Sequence, residues 1–349
     1  MLLVLNVGSS SLKAAVVDSN GSGSRRLWQA EAPRQGSLSE QLSTWLAPPL
    51  KTWWPKLRAT GHRVVHGGER FTAPTRIDPA VLQELEELST LAPLHNPPAL
   101  AAIHWLQQHR PQLPQWACFD TAFHATLPAE AHTYALPAAW REGGRRRYGF
   151  HGLNHQHVAE SAPCPRLISA HLGAGCSLAA IRHGRSIDTT MGFTPLEGLV
   201  MASRSGSIDP GLLLHLQRQG LSLEELDQGL NKHSGLLGLS QLSPDWRDLR
   251  AAAAEGHHGA QLAVAVFLHQ LRRGIGAMAA SLGGVDQIVL SGGIGANDPQ
   301  LEAELKRDMA WLGNVGWQRL PADEEGMIAQ LVARQINDPA GLGFDAAGG

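Results

Sequence analysis

One strand–turn–strand pattern occurs twice in this chain, and this repeat limits the folds that are open to it. A short apolar stretch, a turn of Gly and Ser, and a second mainly apolar stretch occupy residues 2–17. The pattern returns over residues 167–184, with the sequence LISAHLGAGCSLAAIRHG. A shift of 165 residues aligns Gly8 with Gly173 and superimposes the paired alanines of the two second stretches. Matched turn residues with matched apolar flanks predict a duplicated domain.

The remaining apolar patterns indicate helices that alternate with strands. The predicted helices cover residues 78–91, 100–109, 212–230 (in two pieces) and 261–282, and the predicted strands cover residues 116–120 and 287–290. Residues 19–55 are rich in Ser, Gly, Pro and Trp, and we expect a loop with one short helix there. The alternation predicts an α/β protein with mixed or parallel sheets, in which ligands gather at strand ends.

Composition excludes several classes of protein. Hydrophobic residues make up 43% of the 349 residues and charged residues 17%, which is typical of folded domains, and the length indicates two of them. The net charge of −2 gives no basic field, so we expect neither nucleic acid nor a membrane as a partner. The three cysteines lack paired spacing and the 17 histidines form no zinc motif. With no signal-like N-terminus, a cytoplasmic location is expected.

Three turns of small residues each follow an apolar stretch. They are GSSS at residues 8–11, GAG at residues 173–175 and GGIG at residues 292–295. Small residues let backbone N–H groups approach a phosphate chain. None of the three matches the P-loop or the full dinucleotide fingerprint. Any one of them could be a plain hairpin turn, but three together favour binding of nucleotide phosphates.

Several polar residues have two readings on local evidence. Asn6 and Lys13 flank the first turn. Considered alone, Asn6 is most simply a capping residue and Lys13 a solvent-exposed lysine. Arg63 could bind a carboxylate or phosphate, or form a surface ion pair with Glu69. Asp120 could hold magnesium or cap a helix. Arg204 in MASRSGSIDPG and His151 in YGFHGLNH could likewise have a functional or a purely structural role. The basic run at residues 145–147 is most simply interpreted as a solvent-exposed face.

Taken in order, the motifs HRVVHGGE, PLHNPP, FDTAFH, YGFHG, HLGAG, MGFTPLEG and GGIGAN closely resemble those of the acetate kinase family. The resemblance runs from Asn6 to about Glu325. It implies two duplicated actin-like (ribonuclease H-like) α/β domains with a nucleotide cleft between them. The expected domains are residues 1–150, an N-terminal acetate-kinase domain, and residues 151–349, a C-terminal nucleotide-binding domain. The extreme C-terminal segment is expected to pack back on the first domain.

The resemblance also implies a role for each matching residue. The expected catalytic residues are Arg63, Asp120, His151 and Arg204. The expected acyl-substrate residues are Arg63, Val65, Leu94, His95, Phe150 and Pro195. The expected nucleotide residues are Asn6, Ser9, Ser11, Lys13, His171, Leu172, Gly173, Ala174, Gly175, Asp245, Trp246, Arg247, Gly292, Gly293, Ile294, Gly295, Ala296 and Asn297. The expected metal-side residues are Asn6, Asp120 and Glu324.

The implied activity is reversible transfer of the ATP γ-phosphoryl group to acetate, giving acetyl phosphate and ADP. Mg²⁺ is the expected metal, with Mn²⁺ as an alternative, and a homodimer is the expected assembly. A propionate or butyrate kinase, a pyrophosphate-dependent form, and a catalytically weak regulatory nucleotide-binding protein stay open as alternatives. The chain departs from the family pattern at Ala174, where an Asn is usual, and at Cys176, where a Ser is usual.

Overall fold

The computed structural model describes residues 1–8, 11–90 and 96–337. The chain divides into two units, one formed by Met1–Phe123 together with the residues from Asp323 onward, and the other by His124–Ala322. The limits expected from the resemblance, residues 1–150 and 151–349, stay a prediction. In the described parts of the chain, no helix combines the length and the apolar character needed to span a bilayer.

The first unit is built on a six-stranded mixed sheet. Its strands are β1 (Leu2–Val7), β2 (Ser11–Ser19), β3 (Ser24–Pro33), β4 (Ala59–Val64), β5 (Thr75–Arg76) and β6 (Gln115–Phe119), in the order β3-β2-β1-β4-β6-β5. Strands β1, β4 and β6 are parallel neighbours, whereas β2 and β3 form an antiparallel meander beside β1. Strand β1 is buried at every residue, which accounts for its apolar side chains at every position except Asn6.

The helices of the first unit are α1 (Leu38–Gln41), α2 (Ala47–Leu50), α3 (Pro79–Glu87), α4 (Asn96–His109) and α15 (Glu324–Asn337). A helical segment over Leu42–Leu46 joins α1 to α2. Helices α4 and α15 both pack on the central strands β1 and β4. Close approach of α15 requires a glycine in β4, because a Cβ at Gly61 would lie 2.5 Å from Ile328 Cγ2.

The second unit repeats the sheet topology of the first. Its strands are β7 (Arg166–Leu172), β8 (Cys176–Arg182), β9 (Arg185–Thr189), β10 (Gln287–Ser291) and β11 (Gly316–Arg319), in the order β9-β8-β7-β10-β11. As in the first unit, an antiparallel meander (β9-β8-β7) is followed by two parallel neighbours. The predicted α/β class with duplicated domains is confirmed.

The helices of the second unit are α5 (Ala129–His132), α6 (Ala138–Arg141), α7 (Gly152–Ser161), α8 (Pro210–Arg218), α9 (Leu223–Lys232), α10 (Gly235–Ser240), α11 (Trp246–Ala254), α12 (His258–Leu282), α13 (Gly292–Gly295) and α14 (Pro299–Asp308). Short turns of helix lie in the first unit at Trp54–Lys56 and Leu88–Thr90 and in the second unit at Ala310–Leu312. A further one, Ala122–Thr126, lies where the chain passes from the first unit to the second. The long helix α12 packs on β7, β8 and β9, and α7 packs on β7.

Two predictions about these elements need correction. The shift of 165 residues aligns the first strands of the two repeats correctly but is one residue too long for their second strands. Val7 pairs with Leu12 in the first repeat, whereas the equivalent Leu172 pairs with Cys176 in the second. The second hairpin loop is therefore one residue shorter. Residues 19–55 are not mainly loop either, since they contain β3 and the helical segment from α1 to α2. Strand β3 is polar at many positions and owes its structure to pairing with β2.

Candidate active site

In the first unit, polar residues meet where the parallel strands end. Asn6 lies near the end of β1, Arg63 near the end of β4, and Asp120 directly follows β6. Neighbouring parallel strands bring such ends to one edge of the sheet. The first residues of α15, Glu324 and Glu325, lie beside them. We call these five residues the Arg63 cluster.

Arg63 is the centre of this cluster. Its Nε atom donates to Asp120 Oδ1 at 3.0 Å and its Nη2 atom to Asp120 Oδ2 at 2.5 Å. Its Nη1 atom donates to Asn6 Oδ1 at 3.2 Å and lies 3.4 Å from Glu324 Oε2. The Asn6 amide in turn donates to Glu324 at 3.0 Å and to Glu325 at 2.8 Å. These bonds fix the amide orientation of Asn6 and hold Arg63 against the carboxylates.

The charges of this region do not balance. Asp120, Glu324 and Glu325 surround Arg63, and Asp323 adds a fourth carboxylate that pairs with Arg26. Four carboxylates and two guanidinium groups give a formal charge of −2. Burial raises the pKa of Asp120, and the neighbouring Arg63 opposes that rise. Burial would lower the pKa of Arg63, but the surrounding carboxylates outweigh it and raise the pKa.

In the second unit, the first loop follows β7 and carries the predicted phosphate turn. The Gly173 amide donates to the Gly175 carbonyl at 3.0 Å and closes a tight turn. A Cβ at Gly175 would lie 2.8 Å from Arg204 Nη2 and 3.1 Å from His151 Nε2, so a larger residue here would displace the Arg204 guanidinium. The thiol of Cys176 donates to the Gly173 carbonyl at 3.3 Å. Cys176 therefore keeps a side-chain bond inside the loop where the family usually has Ser.

His151 and Arg204 converge on this loop. His151 has a left-handed backbone conformation (φ 56°), which is uncommon outside glycine and frequent at functional positions. Its ring stacks on His171, with the ring centres 4.2 Å apart, and its Nδ1 lies 2.9 Å from Ser177 Oγ. Arg204 Nη1 donates to the Pro195 carbonyl at 2.7 Å. Within the described residues no carboxylate lies within 4.0 Å of the Arg204 guanidinium, and burial lowers its pKa.

A cavity of about 800 Å³ opens beside the glycine turns of this unit. Gly173 and Ala174 of the loop after β7 line it, as do residues that follow β10. Gly292 has φ 78°, and a Cβ there would lie 2.5 Å from the Leu172 carbonyl oxygen. The residues that line the cavity are Gly173, Ala174, Ala202, Pro244, Asp245, Trp246, Arg247, Arg250, Gly293, Ile294, Asn297, Asp298 and Gln300. The size suits a ligand as large as a nucleotide.

The cavity lining includes eight of the eighteen residues predicted for the nucleotide. Asp245 also caps α11, where it accepts from the Arg247 amide at 2.8 Å. Trp246 Nε1 donates to Asp298 at 2.7 Å, and Arg250 lies over the Trp246 ring at 4.8 Å. Arg250 was not among the predicted nucleotide residues, although its position four residues after Trp246 on one helix places it on the same face.

Other predicted residues lie apart from the cavity lining. Ser11 begins β2, and Lys13 pairs with Asn6 across the hairpin, while its amine lies 3.9 Å from Glu31. Leu172, Gly292 and Gly295 are buried. The GGIG segment forms the short helix α13 rather than a plain turn, and Ala296 caps its C-terminal end. Ser9, Leu94 and His95 lie outside the described residues. Val65 is a buried residue of the first unit, whereas Phe150 and Pro195 belong to the second.

One simple reading from the sequence is wrong. Residue Arg147 is not on a solvated face, since only 17% of its side chain is exposed. It pairs with Glu197 at 2.7 Å and donates to the Met191 carbonyl at 2.9 Å. Tyr134 also donates to Glu197, at 2.7 Å. These contacts hold the segment that carries Pro195, the partner of Arg204.

Comparison with known proteins agrees with this geometry. The sequence profile of the Acetokinase family matches residues 29–330. Acetate kinase from a Synechococcus strain is 46% identical, over 89% of this chain and 88% of that protein. A solved propionate kinase from Francisella tularensis is 34% identical with a TM-score of 0.86, covering 95% of this chain and 98% of its own. Porphyromonas gingivalis acetate kinase is 33% identical with a TM-score of 0.83, covering 94% and 97%. The chain therefore belongs to the acetokinase family.

Proposed function

We propose that this protein is an acetate kinase, which transfers the γ-phosphoryl group of ATP reversibly to acetate. The observation that carries the proposal is Arg204, a partly buried cation whose guanidinium has no carboxylate within ion-pair distance among the described residues. A buried charge without a counter-charge is costly, so this position favours an anionic ligand. The adjacent cavity and glycine turns offer space and backbone donors for nucleotide phosphates.

The chemistry suits the residue types present. A carboxylic acid is already ionised near neutral pH, so acetate needs no general base to become a nucleophile. The difficulty is to bring two anions together and to stabilise the charge that spreads over the migrating phosphoryl group. Arg63, Arg204 and His151 supply donors for that charge, and fixed positioning supplies much of the remaining acceleration. We therefore propose direct in-line transfer rather than a phosphorylated enzyme.

A divalent metal fits the Arg63 cluster by its charge and its donor atoms. The formal charge of −2 around Arg63 and Arg26 is of the right size for one divalent cation to offset. Among the described residues, no group of three His, Cys, Asp or Glu side chains is arranged to hold a metal. Mg²⁺ commonly uses only one or two carboxylates, with water and phosphate oxygens completing its shell. We propose that Asp120 and Glu324, with Asn6 nearby, hold Mg²⁺, which would neutralise phosphate charge when bound.

A homodimer in the cytoplasm remains the proposed state of the protein. Helix α8 supports the dimer, because it has no buried residue although its sequence is PGLLLHLQR. Leu212 and Leu214 are 47% and 52% exposed, and Leu223 at the start of α9 is 73% exposed. Such an apolar surface is typical of an interface. Replacing Leu212 and Leu214 with Asp should give a monomer in light scattering, and an unchanged dimer would place the interface elsewhere.

Trapping acyl phosphate with hydroxylamine tests the function. The wild-type protein should form acyl phosphate from ATP and acetate, and Arg204→Ala should lose nearly all of this activity. Arg145→Ala is the matched control, since its guanidinium is exposed and donates to a backbone carbonyl in the same unit. Propionate, butyrate and pyrophosphate should support slower reactions. Preference for propionate would change the substrate assignment, and no product from any pair would indicate a regulatory nucleotide-binding protein.

A further inference from the structure

A buried serine connects the His151 ring to a second, deeper histidine. Ser177 lies in β8, and its Oγ atom is 2.9 Å from His151 Nδ1 and 2.8 Å from His155 Nε2. On the far side, His155 Nδ1 lies 2.8 Å from Ser169 Oγ in β7. Ser169, His155 and Ser177 are all fully buried. The four side chains thus form a continuous line from the interior of the second unit to the loop that carries Gly175.

The single proton of each hydroxyl makes this line directional. Ser177 can donate to only one of the two rings and has to accept from the other. Burial lowers the pKa of His155 well below its ordinary value, so its ring is neutral and carries one N–H group. If Ser177 donates to His151, then His155 donates to Ser177 through Nε2 and accepts from Ser169 through Nδ1. If Ser177 instead donates to His155 Nε2, then His155 Nδ1 donates to Ser169 and His151 Nδ1 donates to Ser177.

The surroundings of His151 Nε2 favour one direction. This atom faces Gly175 and Arg204, since a Cβ at Gly175 would touch both His151 Nε2 and Arg204 Nη2. In the proposed reaction this is where anionic oxygens of the phosphoryl group develop charge. An N–H group at Nε2 would stabilise them, whereas a lone pair there would repel them. In a neutral His151 ring with its proton on Nε2, Nδ1 is the acceptor and Ser177 its donor.

We propose that Ser177 is a positioning residue, which donates to Nδ1 of His151 and so keeps its proton on Nε2, facing the reacting phosphoryl group. This inference rests on the proposed phosphotransfer function. Ser177 touches no substrate in this scheme and acts only through the histidine. In this direction the buried partner His155 donates to Ser177 through Nε2 and accepts from Ser169 through Nδ1.

A double-mutant cycle tests whether Ser177 acts through His151. Ser177→Ala should lower kcat by about 10- to 100-fold, as loss of an orienting partner does for other functional histidines, with little change in either KM. In a His151→Ala background the same substitution should change kcat by less than about 2-fold. Ser186→Ala is the matched control, because Ser186 is buried and bonds His124 Nδ1 at 2.8 Å in the same unit. Equal losses from Ser177→Ala in both backgrounds would overturn the proposal.

Nitrogen-15 NMR of the histidine rings gives a readout that does not depend on turnover. The His151 signals are identified by their loss in His151→Gln, in buffer well above the ordinary imidazole pKa of about 6.5. We expect the Nε2–H tautomer in the wild-type protein and a shift towards Nδ1–H in Ser177→Ala. An Nδ1–H tautomer or a charged ring in the wild-type protein would overturn the proposal, even if Ser177→Ala fails to fold. A wild-type protein without kinase activity would instead refute the proposed function.

Discussion

Arg63 and Asp120 form a two-point ion pair that spans neighbouring parallel strands. The guanidinium donates through Nε and Nη2 to the two carboxylate oxygens, at 3.0 and 2.5 Å. Asp120 is 1% exposed and Arg63 19% exposed, so the pair lies mostly away from water. Such paired contacts fix the plane of the guanidinium. Its remaining Nη1 group is then directed to Asn6 and Glu324.

The two arginines should therefore respond differently to replacement. Arg63→Ala leaves the buried Asp120 without its partner and should lower the free energy of unfolding by about 3–5 kcal/mol. Arg204→Ala breaks no ion pair among the described residues and should leave the unfolding free energy nearly unchanged. Both should lower turnover by roughly 10²–10³-fold, the usual effect of losing one charge-stabilising donor. Urea unfolding and the hydroxylamine assay measure the two effects. Near-normal turnover in folded Arg204→Ala would remove Arg204 from the mechanism.

A second prediction concerns the length of the acyl chain. Val65 is 9% exposed and follows the last residue of β4, two positions after Arg63. If it fills space beside the acetate methyl, Val65→Ala should shift the preference towards propionate. One methylene is worth about 1–3 kcal/mol in such pockets, or roughly 10- to 200-fold in kcat/KM. The assay compares acetate, propionate and butyrate at fixed ATP. A wild-type preference for butyrate would show that the pocket is assigned wrongly.

A third prediction concerns Ala174, which lines the cavity where the family usually has Asn. An Asn amide could donate to a nucleotide phosphate, whereas the Ala methyl cannot. One hydrogen bond to a charged group is worth about 1.5–3 kcal/mol. Ala174→Asn should therefore raise kcat/KM for ATP by about 10-fold or more, with the KM for acetate as the internal control. No gain from Asn would rule out a phosphate contact at this position.

A fourth prediction concerns stability in acid. Burial lowers the pKa of His62 to about 4, despite its bond to Gln115. In the unfolded chain His62 has an ordinary pKa of about 6.5, so as the pH falls it is protonated there before it is protonated in the folded protein. The free energy of unfolding therefore decreases as the pH drops from about 6.5 to about 4. His62 should cost the protein about 2 kcal/mol of unfolding free energy between pH 7 and pH 5.

Comparing His62→Gln with the wild-type protein isolates this effect. The Gln amide can still reach Gln115 but does not titrate, so the variant should lose less unfolding free energy between the two pH values. His124, whose pKa burial also lowers to about 4, should make a similar contribution in the second unit. Parallel pH profiles for His62→Gln and the wild-type protein would show that His62 is not the titrating group.

Much of this molecule could be predicted from local sequence. Strand β1 could be predicted because residues 2–7 are apolar except for Asn6 and the following turn is rich in Gly and Ser. Helix α3 begins after Asp78, which caps it by accepting from the Val81 amide at 2.8 Å. The strand that leads to Asp120 and the glycine turns beside the cavity, at residues 173–175 and 292–295, were also predicted from the sequence. Each of these signals lies within a few residues of the feature that it determines.

Only the tertiary structure decided which long-range partners each polar residue has. Arg63 pairs with a residue 57 positions away, and the partly buried Arg147 pairs with Glu197, 50 positions away. Ser177 gave no signal of its own, since a serine in a strand acquires a role only from the rings of His151 and His155 on either side. Local sequence sets backbone preference and burial, whereas hydrogen-bond partners depend on how distant strands and helices pack.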